Sequence, residues 1–189
     1  ILRTLPITRR GLTPFTFSRF LVPWLCNFQG TAIFMDADML LVTDISELEE
    51  QITEDIGVSV VQSLEKYEQT SFMLFNCEHP AHKKLTPEFI QETAINLHGL
   101  EWLGEEAVGS LDPKWNQLIG YQEVDLTQGN LHYTMGVPAF PETSSCDGAD
   151  LWRNMAQLSM SAIPWKEIMG SSVHTIEIDG VKLPKYVWD

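Results

Sequence analysis

Asp36 and Asp38, one residue apart, carry the sharpest chemical signal in the sequence. In an extended segment, side chains two positions apart share a side. Both carboxylates can therefore converge at the C-terminal end of a strand, where open α/β sheets bind ligands. Paired carboxylate oxygens suit a hard cation such as Mg²⁺ or Mn²⁺. Such an ion can bridge phosphate oxygens and offset the charge that collects on a departing diphosphate. Acidic pairs after strands also cap turns and short helices, so the tripeptide alone leaves a structural role open. Its surroundings argue for a site. Thr31 to Met35 (TAIFM) precedes it and Met39-Leu40-Leu41-Val42 follows, and charges set between apolar runs need a compensating partner.

The other reactive side chains are more ordinary. His79 and His82 form an H-x-x-H pair beside Lys83-Lys84 and read as a solvated loop. Asn76 ends an apolar run, where it can touch a sugar or cap a turn. Trp102, Trp115 and Trp152 read as packing residues, with sugar stacking as the alternative. Asp44 reads as a helix cap, and Asp147 and Asp150 sit where acids favour a helix N-terminus. No Ser-His-Asp order, Walker loop or GxGxxG is present. Cys26, Cys77 and Cys146 are far apart and form no CxxC, which suggests three buried thiols in a reducing, cytoplasmic setting rather than zinc ligands.

Composition removes whole classes of function. The net charge is −14 with only 12 Lys and Arg, whereas a nucleic-acid binder needs a basic face. A nucleotide substrate is still compatible, because a divalent cation can screen a diphosphate. No apolar run reaches the roughly 18 residues of a membrane span, and no signal peptide opens the chain. The chain starts at Ile1, which suggests further sequence upstream. At 189 residues it is long enough for a sizeable core.

The elements that must position these residues are short. Thr13-Pro14 predicts a helix start, with Phe17, Phe20, Leu21, Trp24 and Leu25 on one face and a kink or early stop at Pro23. TAIFM, Ile56 to Val61 and Ser71 to Cys77 predict buried strands. Thr86-Pro87 predicts a helix whose inner side runs through Phe89, Ile90, Ala94 and Leu97. Trp102 to Trp115 reads as irregular, Leu131 to Thr134 as a strand, Asp147 to Met160 as a helix, and Val173 to Val187 as a hairpin around Asp179-Gly180. Strands alternating with helices predict an α/β domain with a mainly parallel sheet. One domain over 1–189 is expected, with 165–189 as a C-terminal hairpin or tail.

Three segments together resemble one known family. AIFMDADMLLVTDISEL resembles the strand–DxD–strand segment of GT-A fold glycosyltransferases, above all family 8, which includes glycogenin and bacterial lipopolysaccharide galactosyltransferases. Thr16-Phe17-Ser18-Arg19-Phe20 with Pro23 resembles that family's aromatic-small-Arg helix. His132-Tyr133-Thr134-Met135-Gly136-Val137-Pro138 resembles its H-x-x-G-x-x-K-P element. The matches fall in the family's order and span about residues 13 to 141.

The resemblance implies a Rossmann-like GT-A fold and transfer of a sugar from a nucleoside-diphosphate sugar, a UDP-sugar above all, to a carbohydrate or other hydroxyl acceptor with retention. It implies Mn²⁺ or Mg²⁺ held by Asp36, Asp38 and His132. Asp36 also meets the ribose, with Ala37 beside it in the donor-binding set. Arg19 reaches the donor sugar or its phosphate, and the N–H of Gly136 approaches the diphosphate. The family's Asn-Ser-Gly appears here as Gln69-Thr70-Ser71, so Gln69 takes the sugar contact. Glu105-Glu106 lies near the family's Asp-Gln pair, and Glu106 takes that role.

Two departures stand out. Val137, Pro138 and Ala139 stand near the place of the family's Lys, and nothing before Thr13 supplies the family's leading nucleotide-binding strand. Both leave room for a weak or inactive sugar- or nucleotide-binding module of the same fold. A haloacid-dehalogenase-type phosphatase also carries DxD. It ranks last, because Leu40 sits where that class has Thr or Val.

Overall fold

A computed structural model describes residues 9, 11, 15–62, 66–159, 175–178 and 181–184. The chain divides into two compact units, the first comprising Ile1–Asp36 and Asp44–Trp115, the second Ala37–Thr43 and Asn116–Asp189.

The first unit is built on a four-stranded sheet. β1 (Thr31–Met35), β4 (Phe72–Asn76), β3 (Val58–Val60) and β5 (Val108–Ser110) lie in the order β1-β4-β3-β5. The run FMLF of β4 is buried throughout, as a strand covered on both faces must be. β1 pairs antiparallel with β4, from Thr31 opposite Asn76 to Met35 opposite Phe72. β1 ends the strand order and is only half-buried, with Thr31 and Met35 exposed, so the buried strand expected there is an edge strand. Phe20, Val60, Met73, Phe75, Leu85, Ile90 and Trp102 belong to the core beside this sheet.

The helical entry to β1 is short. A 3-10 turn (Ser18–Leu21) leads into α1 (Val22–Leu25). Pro23 stands in the first turn of α1, where its missing N–H leaves no gap, so it starts a helix rather than kinking one. The expected start at Thr13-Pro14 lies outside the described residues. The chain then turns through left-handed Asn27 (φ 53°) and Phe28 (φ 56°).

α2 (Lys66–Gln69) is a single turn ahead of β4. α3 (Pro87–Glu92) begins where expected, with Thr86 Oγ1 accepting from Phe89 N at 3.3 Å. It stops before Ala94 and Leu97 because Thr93 is extended and its hydroxyl accepts from Ile95 N, a local bond that competes with helix.

In the second unit, β2 (Met39–Leu41), β7 (Asn130–His132) and β6 (Gln117–Leu118) form a sheet in the order β2-β7-β6. Met39 faces His132, Leu40 faces Leu131 and Leu41 faces Asn130. The Gln117 carboxamide ties down the connection from β6 to β7. It donates to Asp125 O (3.1 Å) and Gln128 O (2.7 Å) and accepts from Asp125 N (2.7 Å). Ile119, Leu131, Tyr133, Val137 and Trp152 make this unit's core, with Trp152 supplied by α4 (Ala149–Ser159). β8 (Thr175–Ile178) and β9 (Val181–Pro184) pair antiparallel. The turn expected at Asp179-Gly180 lies outside the described residues.

The architecture is mixed α/β, as expected. The sense of the strands differs from the mainly parallel expectation: β3–β5 and β6–β7 are parallel, and the other named pairs are antiparallel. Parallel neighbours need a long crossover, whereas β3 and β4 are joined by a connection holding one short helix.

Two histidines are built into the first unit in their neutral form. His82, expected in a solvated loop, is fully buried. Its Nε2–H donates to Gly57 O at 3.0 Å, and its Nδ1 accepts from Trp102 Nε1 at 3.3 Å. Burial pulls its pKa down to about 4. His98 meets Thr70 Oγ1 at 2.6 Å, and burial together with the charges of Arg19 and Arg9 also takes it to about 4. The H-x-x-H pair is thus a core residue and a turn cap, His79 accepting from Ala81 N.

Because both folded pKa values lie below the ordinary 6.5, the unfolded chain binds more protons between about pH 6.5 and 4. Stability is fully present above pH 6.5 and is lost as pH falls through this window. For His82 the slope approaches about 1.4 kcal/mol per pH unit; for His98, partly solvent-exposed, it is smaller. Urea unfolding at pH 7.5, 6, 5 and 4.5 should show the decline, and His82→Gln should flatten it.

Candidate functional site

Asp36 ends the first of the two segments that make up the first unit. Its N–H donates to Ser71 O at 2.9 Å, which carries the β1–β4 pairing one step past Met35. Its carboxylate meets the Arg19 guanidinium through both arms, Nη2 to Oδ1 at 3.0 Å and Nη1 to Oδ2 at 3.3 Å. Arg19 is 5% exposed. Its Nε donates to Thr16 O (3.0 Å) and Nη1 to Thr70 O (2.9 Å), while the guanidinium lies 4.9 Å from the Phe34 ring centre. Burial holds the Asp36 carboxyl above its ordinary pKa, and the Arg19 charge with hydrogen bonds from Ser71 and Arg19 offsets only part of that rise. Arg19 was expected to reach a donor. In this fold its guanidinium neutralises Asp36 and satisfies two carbonyls.

Ala37 and Asp38 form a turn rather than the extended segment expected. Ala37 is exposed, and Asp38 leads directly into β2. The backbone of Asp38 extends the β2–β7 ladder, its C=O accepting from Tyr133 N at 2.9 Å. This places the Asp38 side chain beside that of His132, with Oδ1 3.6 Å from Nε2. His132 is 3% exposed, and its Nδ1 lies 2.9 Å from Asn116 Oδ1. An acid and an imidazole far apart in sequence therefore share one face of the second unit.

The donor set fits a divalent ion. At 3.6 Å the pair is too far apart for a good hydrogen bond. Two donors each about 2.1 Å from one cation lie about 3.0 to 3.6 Å apart at angles between about 90° and 120°. The carboxylate oxygen suits Mn²⁺ or Mg²⁺, and the imidazole nitrogen favours a transition ion such as Mn²⁺ over Mg²⁺.

The remaining expected residues have the following partners and exposure. Gln69 is buried and donates to His98 O at 2.8 Å. Gly136 has φ 122°, open to glycine alone among common residues, and its N–H donates to Tyr133 O at 2.8 Å. Glu106 is exposed on the 3-10 turn Glu105–Ala107, its carboxylate packed over Gly104. No hydrogen bond or ion pair among the described residues joins it to Arg19 or Asp36. Asn76 donates to Thr53 O and Glu54 O and accepts from Glu78 N, while Asp44 caps the turn Ile45–Gln51. Trp102, Trp115 and Trp152 are buried, with Trp115 stacked on Phe72.

Sequence reasoning gave no role to Asn116, which touches His132. It also missed the carbonyls of Thr16 and Thr70. Of these, only Thr16, three residues before Arg19 on a helical turn, left a readable spacing signal.

No family model matches the sequence. The chain is 38% identical to Protein CDI of Arabidopsis thaliana, over 75% of this chain. It spans 64% of that protein's length. Two solved structures of LgtC match in fold. One is the galactosyltransferase with donor and acceptor sugar analogs, the other an active-site mutant. Each has a TM-score of 0.58 at 14% identity, covering 87% of this chain and 74% of the LgtC chain. The fold matches that of LgtC. Among the described residues no helix is long and apolar enough to cross a membrane.

Arg19→Ala should destabilise the protein by about 2 to 4 kcal/mol, since it strands a half-buried carboxylate and two carbonyls. Urea denaturation measures this, and adding Asp36→Asn to Arg19→Ala should recover part of the loss.

Proposed function

We propose that the chain is a metal-dependent glycosyltransferase that moves a sugar from a nucleoside-diphosphate sugar, a UDP-sugar first, to a carbohydrate or other hydroxyl acceptor with retention. The proximity of Asp38 Oδ1 to His132 Nε2, with His132 anchored on Asn116, carries this reading. The likeness in fold to LgtC, a galactosyltransferase by its own description, supports it, as does the family 8 resemblance of the three sequence segments.

In this reading Asp38 and His132 hold Mn²⁺ or Mg²⁺, and Asp36, two residues before Asp38, completes the set. The ion would supply Lewis-acid stabilisation of the negative charge on the leaving diphosphate. Asp38 gives an anionic oxygen and His132 a neutral nitrogen. Arg19 favours the charged form of the Asp36 carboxyl, opposing the effect of its burial. No side chain at this site is a convincing covalent nucleophile, so departure and return of the sugar on one face is the more economical route. The three free thiols fit a reducing, cytoplasmic setting, which belongs to the same proposal.

A second reading is a binding module of the same fold that does not turn over donor. Arg19, Gln69 and Gly136 favour it, because the groups expected to hold the donor are bonded within the protein. Calorimetry with Mn²⁺ and UDP, followed by a donor hydrolysis assay, separates the two: binding with turnover supports the enzyme, and binding alone supports the module. Asp38→Ala should lower metal-dependent turnover more than about 100-fold, beyond what loss of a residue behind a ligand costs. Wild-type turnover in that variant refutes the assignment.

A further inference from the structure

His132 can offer a cation one nitrogen, and which one depends on where its proton sits. A neutral imidazole carries one N–H and one lone pair. The atom 2.9 Å from Nδ1 is Asn116 Oδ1, a carboxamide oxygen that only accepts. The proton therefore resides on Nδ1, and the lone pair lies on Nε2, the nitrogen that faces Asp38 Oδ1. Both side chains are buried, His132 at 3% and Asn116 at 6% exposure, so water competes little for the bond. Backbone pairing fixes their separation as well. Asn116 ends the 3-10 turn Pro113–Asn116 and stands immediately before β6, whose Leu118 is in parallel register with His132.

We propose that Asn116 is the positioning residue of this site: its Oδ1 fixes His132 as the Nδ1–H tautomer and so presents the Nε2 lone pair, beside Asp38, to a divalent cation. The inference rests on the metal reading above and adds to it a residue that need not touch ion or substrate. A partner behind a ligating imidazole fixes ring orientation and raises the basicity of the nitrogen that binds.

The test has two readouts, one of them independent of metal. Long-range ¹H–¹⁵N NMR of the metal-free chain at pH 8 reports the His132 tautomer, and calorimetry with Mn²⁺ alone reports affinity. Wild type should show Nδ1–H. Asn116→Ala should lose that tautomer and bind Mn²⁺ ten- to a hundredfold more weakly. Asn116→Asp keeps an acceptor oxygen and should restore both the Nδ1–H tautomer and an affinity at or above wild type.

An Nε2–H tautomer in wild type overturns the proposal. So does wild-type Mn²⁺ affinity in Asn116→Ala, or failure of a folded Asn116→Asp to restore binding. If Asn116→Ala does not fold, the wild-type tautomer and the Asn116→Asp affinity still decide. An Nδ1–H tautomer with no Mn²⁺ binding in any variant defeats the metal reading itself and, with it, the positioning role, a result distinct from the others.

Discussion

The pairing of β2 with β7 is the constraint on which the chemistry of this chain depends. Met39 opposite His132 fixes the register, and the Tyr133 N–H on the Asp38 carbonyl extends it to the aspartate. At the other end Val42 N donates to Gly129 O, and Thr43 Oγ1 accepts from Gly129 N. Side chains alternate along a strand, so a slip of one residue would turn His132 to the opposite face. It would then lose Asp38 and Asn116 together. Apolar burial resists the slip, because Leu131 is fully buried between two residues whose polar side chains point the other way from its own.

The first unit meets a different problem, that of placing a carboxylate where it has poor contact with water. Burial alone would protonate Asp36 more readily. A two-armed guanidinium is the strongest local remedy, and it is held in place because two further N–H groups end on backbone carbonyls. The arrangement explains why an arginine stands there rather than a lysine. A single ammonium could not meet both carboxylate oxygens and two carbonyls in one plane.

Much of this was legible in the sequence, for identifiable reasons. TAIFM, SFMLFNC and the Thr86-Pro87 cap carry local signals, and their elements formed within a few residues of the expected bounds. Asp36-Ala37-Asp38 could be read because two acids between apolar runs are costly without a purpose. What could not be read was non-local. β5 and β6 are three and two residues long, too short for any periodicity, and they exist because a neighbouring strand offers hydrogen bonds. Whether Gln69 faces a ligand or the protein is decided by a carbonyl 29 residues away in sequence, that of His98. His82 looked solvated beside two lysines, yet its ring satisfies Gly57 O in the core.

The contact between Asn130 and Met39 spans 91 residues of sequence, and the first unit's stretch Asp44–Trp115 lies within that span. Closing a loop of that length costs on the order of 4 kcal/mol in chain entropy before the β2–β7 ladder returns anything. Asp38 is thus made well before the imidazole it faces. Order in time follows, with local turns and the nearer strand pairs ahead of the distant one. In a chain that stops short of residue 130, β2 has open hydrogen-bonding groups with no β7 to receive them, the condition under which a strand seeks a partner on another molecule.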